Sequence, residues 1–328
     1  MTKFLEESET MAVRMVCLDL TKAYDKVQIN KMMNRFVLAG LNKGFLKWLS
    51  SFLANRVNYL KIKDILSCQL EIPSGVPQGS VLSPYLFAMF IGELSVEDSK
   101  AELIKYADDL TLIEAIPRRN EQPENLKIIM MWLNTNQLQV NMKKSSQMVF
   151  KKTASFVTQL YDDIDKVTTL TILGVTWNEN LNWKDHFSRV MISTSRRLYV
   201  LRRLRAFLPK KKLFEVYVSY ILSVVLYATP MFGELSADIH SKLDRLHRRA
   251  HRLICGVDCE CDFVDGIQKR RIRQCLTFLS SCEHTDHPLV KLVPPRLPFS
   301  GKFQLQYGAT SRRLNTFFYW ICRVKNNL

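Results

Sequence analysis

The sequence predicts an α+β fold: an antiparallel sheet with packed helices over residues 1–180, then an all-helical region to the end of the chain. Three observations predict it. Short apolar runs and alternating stretches, punctuated by Gly and Pro, fill the first half, as strands require. Amphipathic stretches lie between them. From residue 184 the helical period takes over, and Gly256 closes the third long stretch in the usual stop position.

Each element follows in order. Residues 12–20 (AVRMVCLDL) are an apolar run ending near Asp19 and read as a buried strand. Residues 29–54 read as two helices divided near Gly40 and Gly44. Residues 57–62 and 68–72 alternate like the strands of a hairpin, and 73–80 (PSGVPQGS) form a Pro/Gly turn opening an apolar helix over 81–94. Residues 103–113 (LIKYADDLTLI) are two short strands around an acidic pair, and 121–138 form an amphipathic helix. Residues 146–150 and 167–177 are strand-like, the second interrupted at Gly174. Long helices follow over 184–207, 210–229 and 236–255, then a weaker amphipathic stretch over 263–283 and an irregular tail with a short aromatic helix.

Composition narrows the function classes. The 328 residues are 47% hydrophobic and 24% charged, with only 11 Gly and 11 Pro, which excludes a disordered or collagen-like chain. Lys and Arg exceed Asp and Glu by 47 to 31, a net of +16. Residues 1–150 hold 18 basic and 16 acidic groups, whereas 151–328 hold 29 and 15. A basic half of this kind points to a polyanion, usually nucleic acid. Eight cysteines scattered among apolar runs favour a reducing compartment. Cys255, Cys259 and Cys261 with His284 and His287 fit zinc spacing only loosely, and scattered buried thiols are the better reading. The N-terminus is too acidic for a secretory or mitochondrial leader. Val216–Gly233 is uncharged, but its Ser, Thr and Pro residues suit a core helix better than a membrane span.

Three carboxylates carry the chemistry. An acidic pair at a hairpin corner, Asp108 and Asp109, is by itself an ordinary turn feature. Asp19, after Met-Val-Cys-Leu, is expensive to bury unpaired. If its strand lies beside the 103–113 hairpin, the three converge on a site suited to magnesium. Two such ions suit a phosphoryl displacement. The PSGVPQGS turn can bring backbone N–H groups close to a substrate, and it is not a Walker loop.

The segments LDLTKAYDKV (18–27), PSGVPQGSVLSP (73–84), YADDLTLI (106–113), LQVNMKKSSQMVF (138–150) and LTILGVTWNENLNW (170–183) come in the order and spacing of a reverse transcriptase palm. The match resembles the polymerase of non-LTR (LINE-like) retrotransposons, of the jockey type. The resemblance implies a polymerase right-hand palm over 1–180, a helical thumb over 181–255 and a basic C-terminal extension over 256–328. A fingers segment of considerable length precedes LDLTKAYD in that family. Only a short stretch precedes it here, so the fingers are expected to be mostly missing.

The resemblance also implies roles. Asp19 and Asp108 would ligate two Mg²⁺ ions, helped by the Leu20 carbonyl, with Asp109 more peripheral. Tyr24 would lie under the incoming sugar and exclude a 2′-hydroxyl, while Asp25 would hold the turn. Gln78 and Gly79 would line the nucleotide pocket. Lys144, or its neighbour Lys143, would approach the leaving pyrophosphate as a general acid. Leu173 and Gly174 would lie near the primer terminus. Arg196, Arg197, Arg202, Arg203, Arg205 and Lys210 would contact nucleic-acid phosphates, with Arg196, Arg203 and Lys210 on one helix face through their seven-residue spacing. The expected activity is RNA-directed DNA synthesis from deoxynucleoside triphosphates, extending a DNA primer on an RNA template inside the cell, in nucleus or cytoplasm and without a membrane. The alternative is a truncated or domesticated palm and thumb that binds nucleic acid without catalysis.

Overall fold

The computed structural model describes residues 4, 9–117, 124–153, 155–157, 160–256, 266–284, 286–298, 300–305 and 317–327. Contacts divide the chain into two units, Met1–Leu170 and Thr171–Leu328. In chain order the first unit holds β1 (Thr10–Asp19), α1 (Ile29–Leu38), α2 (Lys43–Leu53), the short strands β2 (Val57–Asn58), β3 (Lys61–Ile62), β4 (Ile65–Leu66) and β5 (Leu70–Glu71), then α3 (Ser83–Ile91), β6 (Ala101–Tyr106), β7 (Asp109–Pro117), α4 (Asn125–Thr135), β8 (Ser146–Lys151) and β9 (Asp165–Lys166).

Five strands form one sheet in the order β6-β7-β1-β8-β9. β1 pairs antiparallel with β7 and β8, and β6 pairs antiparallel with β7. β9 adds in parallel to β8, so the expected antiparallel sheet carries one short parallel edge. The central strand β1 is covered on both faces, which is why it reads as an almost unbroken apolar run. Val16, Leu18 and Leu20 enter the core with Phe36, Leu49, Phe87, Phe90 and Leu133. Each such side chain contributes about 1.5–3 kcal/mol on full burial. Apart from Asp19 at its end, the run contains one charge, Arg14, buried in an ion pair with its cross-strand partner Glu114 at 2.8 Å. The Tyr161 ring covers the Arg14 guanidinium at 3.8 Å. The Tyr161 hydroxyl and the Asn125 side-chain amide both donate to Glu114, which offsets its desolvation.

The helices follow local chemistry. α1 buries Met32 and Phe36, one turn apart. Asn42 caps α2 by accepting the Gly44 N–H at 2.7 Å. The hairpin over 57–71 differs from expectation: β2 pairs with β5 and β3 with β4, and every paired residue is exposed. Alternation here reports strand geometry without burial.

The second unit starts within the hairpin of β10 (Thr169–Ile172) and β11 (Val175–Asn178). Val175 belongs to the helical core, so the division falls earlier than the expected boundary near 180. α5 (Lys184–Leu204) buries Phe187, Val190, Thr194, Leu198 and Leu201. α6 runs over Lys210–Val216, widens to a π-helix over Tyr217–Leu222 and closes over Ser223–Val225. α7 (Ala237–Cys255) presents Ile239, Leu243, Leu246, Ala250 and Ile254 as one apolar stripe. α8 (Ile267–Cys282) and α9 (Phe317–Asn326) follow and share a smaller cluster with Phe303. By length and composition alone Lys210–Met231 is apolar enough to cross a membrane, with mean hydropathy 1.4. Its Tyr217, Ile221, Leu222 and Val225 close on the helical core of this unit. Among the described residues, Cys17, Cys68, Cys275, Cys282 and Cys322 are free thiols; Cys259 and Cys261 lie outside the described residues.

Candidate active site

Two distant segments build the acidic cluster. β1 and β7 pair so that Asp19 stands directly opposite Asp109. Directly opposed residues share a sheet face, with Cβ atoms about 5 Å apart. Tyr106 pairs with Asp109, which leaves Ala107 and Asp108 as a two-residue tip; Ala107 takes left-handed backbone (φ +52°) to close it. Asp108 and Asp109 are exposed and Asp19 is half-buried. Burial and then the charges of Asp108 and Asp19 hold the Asp109 carboxyl above its ordinary range. Beneath, on the same face, the Cys17 thiol is pushed up to about 11, chiefly by burial, with Asp109 adding to the effect. Among the described residues, no group of three or more His, Cys, Asp or Glu side chains is close enough to form a ready-made metal cage.

The backbone at Asp19 is gripped from the other side. Its N–H donates to Ser145 Oγ at 3.2 Å, and its carbonyl accepts the Asn141 N–H at 2.7 Å. Ser145 Oγ donates in turn to the Asn141 carbonyl at 2.9 Å. Leu20 bridges Val140, flanked by the bonds at Asp19 and Thr21, so its own carbonyl points away from that segment, toward the β7 side. Lys143 and Lys144 sit exposed in the Asn141–Ser145 turn. The sequence reading missed Asn141 and Ser145 as anchors of Asp19, although both lie in a segment it singled out.

The turn after β1 positions Tyr24. Lys22 adopts left-handed backbone (φ +50°) and leads into a 3₁₀ turn over Ala23–Lys26. The Tyr24 ring stacks on Phe87 of α3, centroids 4.6 Å apart. Its phenol pKa is raised by burial and by the Asp108 charge, which marks the ring as a neighbour of the acidic tip. The 73–80 loop docks on this turn. Gly75 N–H donates to the Val27 carbonyl at 2.7 Å, and Val76 N–H to the Tyr24 carbonyl at 2.9 Å. The Gln78 side-chain amide donates to Asp25 Oδ1 at 2.8 Å. Arg56, which nothing in the sequence marked, holds the Ser74 and Gly75 carbonyls at 2.9 and 2.6 Å. Gly79 lies beside Gln78, exposed and left-handed (φ +83°).

The remaining candidates belong to the second unit. Leu173 and Gly174 form the exposed tip of the β10–β11 hairpin, both with positive φ (+46° and +78°). Arg196, Arg202, Arg203 and Arg205 are exposed on or just after α5. Arg197 is half-buried; it donates to the Tyr220 carbonyl at 2.5 Å and lies over that ring. With Arg189, Ile192, Ser193 and Arg196 it lines a cleft of about 370 Å³. Lys210 does not share the Arg196–Arg203 face. α5 ends at Leu204, and Pro209 starts a new helix with Lys210 as its first residue. The seven-residue spacing continues across a break that resets helical phase.

An antiparallel sheet with a carboxylate pair at a hairpin tip, facing a third on the central strand, has the architecture of a polymerase palm. Residues 3–177 match the family described as reverse transcriptase (RNA-dependent DNA polymerase). The chain belongs to that family, and its relatives are reverse transcriptases of non-LTR retrotransposons. It is 27% identical over 267 residues to the probable RNA-directed DNA polymerase from transposon BS of Drosophila melanogaster, covering 74% of this chain and 29% of that protein. The RNA-directed DNA polymerase from mobile element jockey of the same organism is 23% identical, over 63% of this chain and 25% of its own length. The Pol polyprotein from type-1 retrotransposable element R2 of Popillia japonica is 22% identical, over 73% and 42%. The chain thus spans between a quarter and about two fifths of the length of these relatives. Among solved structures, apo telomerase from Candida tropicalis matches with a TM-score of 0.44 and 14% identity, over 77% of this chain and 44% of that one.

Proposed function

We propose that this chain forms the palm and thumb of an RNA-directed DNA polymerase that extends a DNA primer on an RNA template. The observation that carries the reading is the register placing Asp19 opposite Asp109, with Asp108 at the adjoining tip. Three carboxylates from two separated segments at one end of the sheet repel one another, and divalent cations relieve that repulsion.

Family membership implies dependence on a divalent metal. The donors suit two Mg²⁺ ions: hard carboxylate oxygens in an open cluster, where the ion keeps waters and takes substrate phosphates as further ligands. Asp19, Asp108 and the Leu20 carbonyl would hold them, with Asp109 at the periphery. When bound, the ions supply charge neutralisation on the triphosphate and a more acidic primer 3′-hydroxyl. The chain's own residues do the positioning. Tyr24, braced on Phe87, forms the floor under the deoxyribose and leaves no room for a 2′-hydroxyl. Gln78, held by Asp25, and Gly79 line the pocket of the deoxynucleoside triphosphate. Lys144 donates a proton to the leaving pyrophosphate. The Leu173–Gly174 tip meets the primer terminus, and Arg196, Arg197, Arg202, Arg203, Arg205 and Lys210 neutralise backbone phosphates without reading sequence. The reading sets the protein inside the cell.

Primer extension on an RNA template with Mg²⁺ tests it, comparing the chain with its Asp108→Asn, Asp109→Asn double variant. Extension by the wild type that the variant loses, with template binding within about twofold, supports the polymerase. Template binding without extension in either protein supports the non-catalytic palm and thumb.

A further inference from the structure

The Leu173–Gly174 tip is held by a side chain that no sequence motif marked. Tyr227 donates its hydroxyl to the Leu173 carbonyl at 2.7 Å. Its ring lies against Gly174, where an added Cβ would meet Tyr227 Cε1 at 3.4 Å. Glycine therefore serves two needs there, the left-handed backbone and the ring contact. Tyr227 follows the last turn of α6 and is half exposed. The next residue, Ala228, takes left-handed backbone (φ +53°), rare for a residue with a Cβ. Thr229, fully buried, anchors the bend through its hydroxyl to the Leu226 carbonyl at 2.8 Å. Strain is thus stored on both sides of one hydrogen bond, at Leu173 and at Ala228. Such conformers are costly and persist where the surroundings over-determine them, commonly at functional sites.

We propose that Tyr227 is a positioning residue for the primer terminus. It acts through the Leu173–Gly174 tip, which it holds in one conformation so that the tip's backbone meets the primer's terminal nucleotide in a constant orientation. The assignment rests on the polymerase reading given above. A two-residue tip between four-residue strands is mobile on its own. The hydroxyl bond and the ring contact remove that freedom before nucleic acid arrives, which lowers the ordering cost of binding.

Tyr227→Phe keeps the ring and removes the bond. Three measurements on the full chain separate the possibilities. Hydrogen exchange over residues 172–175 reports the clamp. Fluorescence anisotropy compares a DNA primer recessed on an RNA template with a blunt RNA–DNA duplex. Steady-state extension separates KM for primer from KM for nucleotide. The variant is expected to exchange about fivefold faster at the tip, as loss of one neutral hydrogen bond predicts. Its affinity for the recessed primer and its KM for primer should worsen about three- to tenfold. Blunt-duplex affinity and KM for nucleotide should not change. Unchanged exchange overturns the clamp whatever the activity. Faster exchange with unchanged recessed-primer affinity makes Tyr227 merely structural and overturns the positioning role. A wild-type chain that neither prefers the recessed end nor extends it removes the polymerase reading, and the positioning role with it.

Discussion

Asp109 and Gly75 show how single residues carry opposite kinds of strain. Asp109 stores electrostatic strain, its carboxyl pKa raised by burial and by Asp108 and Asp19. For a carboxyl raised in the folded state, the unfolded chain gives up its proton first as pH rises. Stability is therefore lost as pH climbs from the ordinary carboxylate range through the raised value, and the loss persists at neutral pH. Asp109→Asn should stabilise the metal-free protein at pH 7, by at most about 1 kcal/mol because the group is largely solvated. The gain should vanish in acid below the ordinary carboxylate range, and Mg²⁺ should raise the melting temperature of the wild type more than that of the variant. Thermal melts in chelator and in Mg²⁺ check this; a variant less stable in chelator at pH 7 contradicts it. Gly75 stores steric strain. Its φ is +80°, and an added Cβ would come within 2.7 Å of the Asp25 Cα and carbonyl oxygen. Both obstacles are backbone, so Gly75→Ala should cost about 2–4 kcal/mol and shift Gln78 off Asp25. Urea unfolding measures it, and a loss below about 0.5 kcal/mol would mean the loop relaxes freely. Gly79 has a similar φ (+83°) but nothing within 4 Å of an added Cβ, so alanine there meets only the conformational cost.

At the scale of elements, α5 carries the basic face, and Pro209 decides where that face ends. Arg202, Arg203 and Arg205 are exposed at its last turn and just beyond. Neutralising all three should lower nucleic-acid affinity alike for all sequences. The slope of log affinity against log salt should fall by about 0.7–0.9 for each phosphate that is no longer neutralised. Titrations at several salt concentrations test this, and an unchanged slope would return these side chains to a solvated helix face. The elements themselves were legible locally. The Met32–Phe36 pair, the α7 stripe and the Asn42 cap are set within one or two turns of chain. Less legible were the exposed ladders over 57–71, because alternation reports strand geometry and carries no information about what covers it.

At the scale of the whole molecule, each unit has its own apolar core, one drawn from Val16 to Ile164 and one from Val175 to Ile267. Charge divides the same way: residues 1–170 hold 21 basic and 19 acidic groups, and 171–328 hold 26 and 12. Leu243 is fully buried in the second core. Leu243→Ala should cost about 2–5 kcal/mol there while the first unit keeps its stability. Urea unfolding read through single-tryptophan variants, keeping Trp132 for the first unit and Trp183 for the second, should show two midpoints of which one moves. Equal movement of both would show the units to unfold as one.

The sequence by itself determined the order and type of the main elements and the family, and it marked the three carboxylates and the 73–80 loop. Those follow from periodicity, turn residues and short motifs, all contained in local windows. Only the tertiary structure decided which residues meet. It placed Asp19 against Asp109, tied Gln78 to Asp25, set Asn141 and Ser145 on the Asp19 backbone, ended the basic face before Lys210 and laid Tyr227 on the Leu173–Gly174 tip. The physical reason is register. A strand slipped by one residue turns every side chain to the other face, and what prevents the slip is packing between segments far apart in the chain.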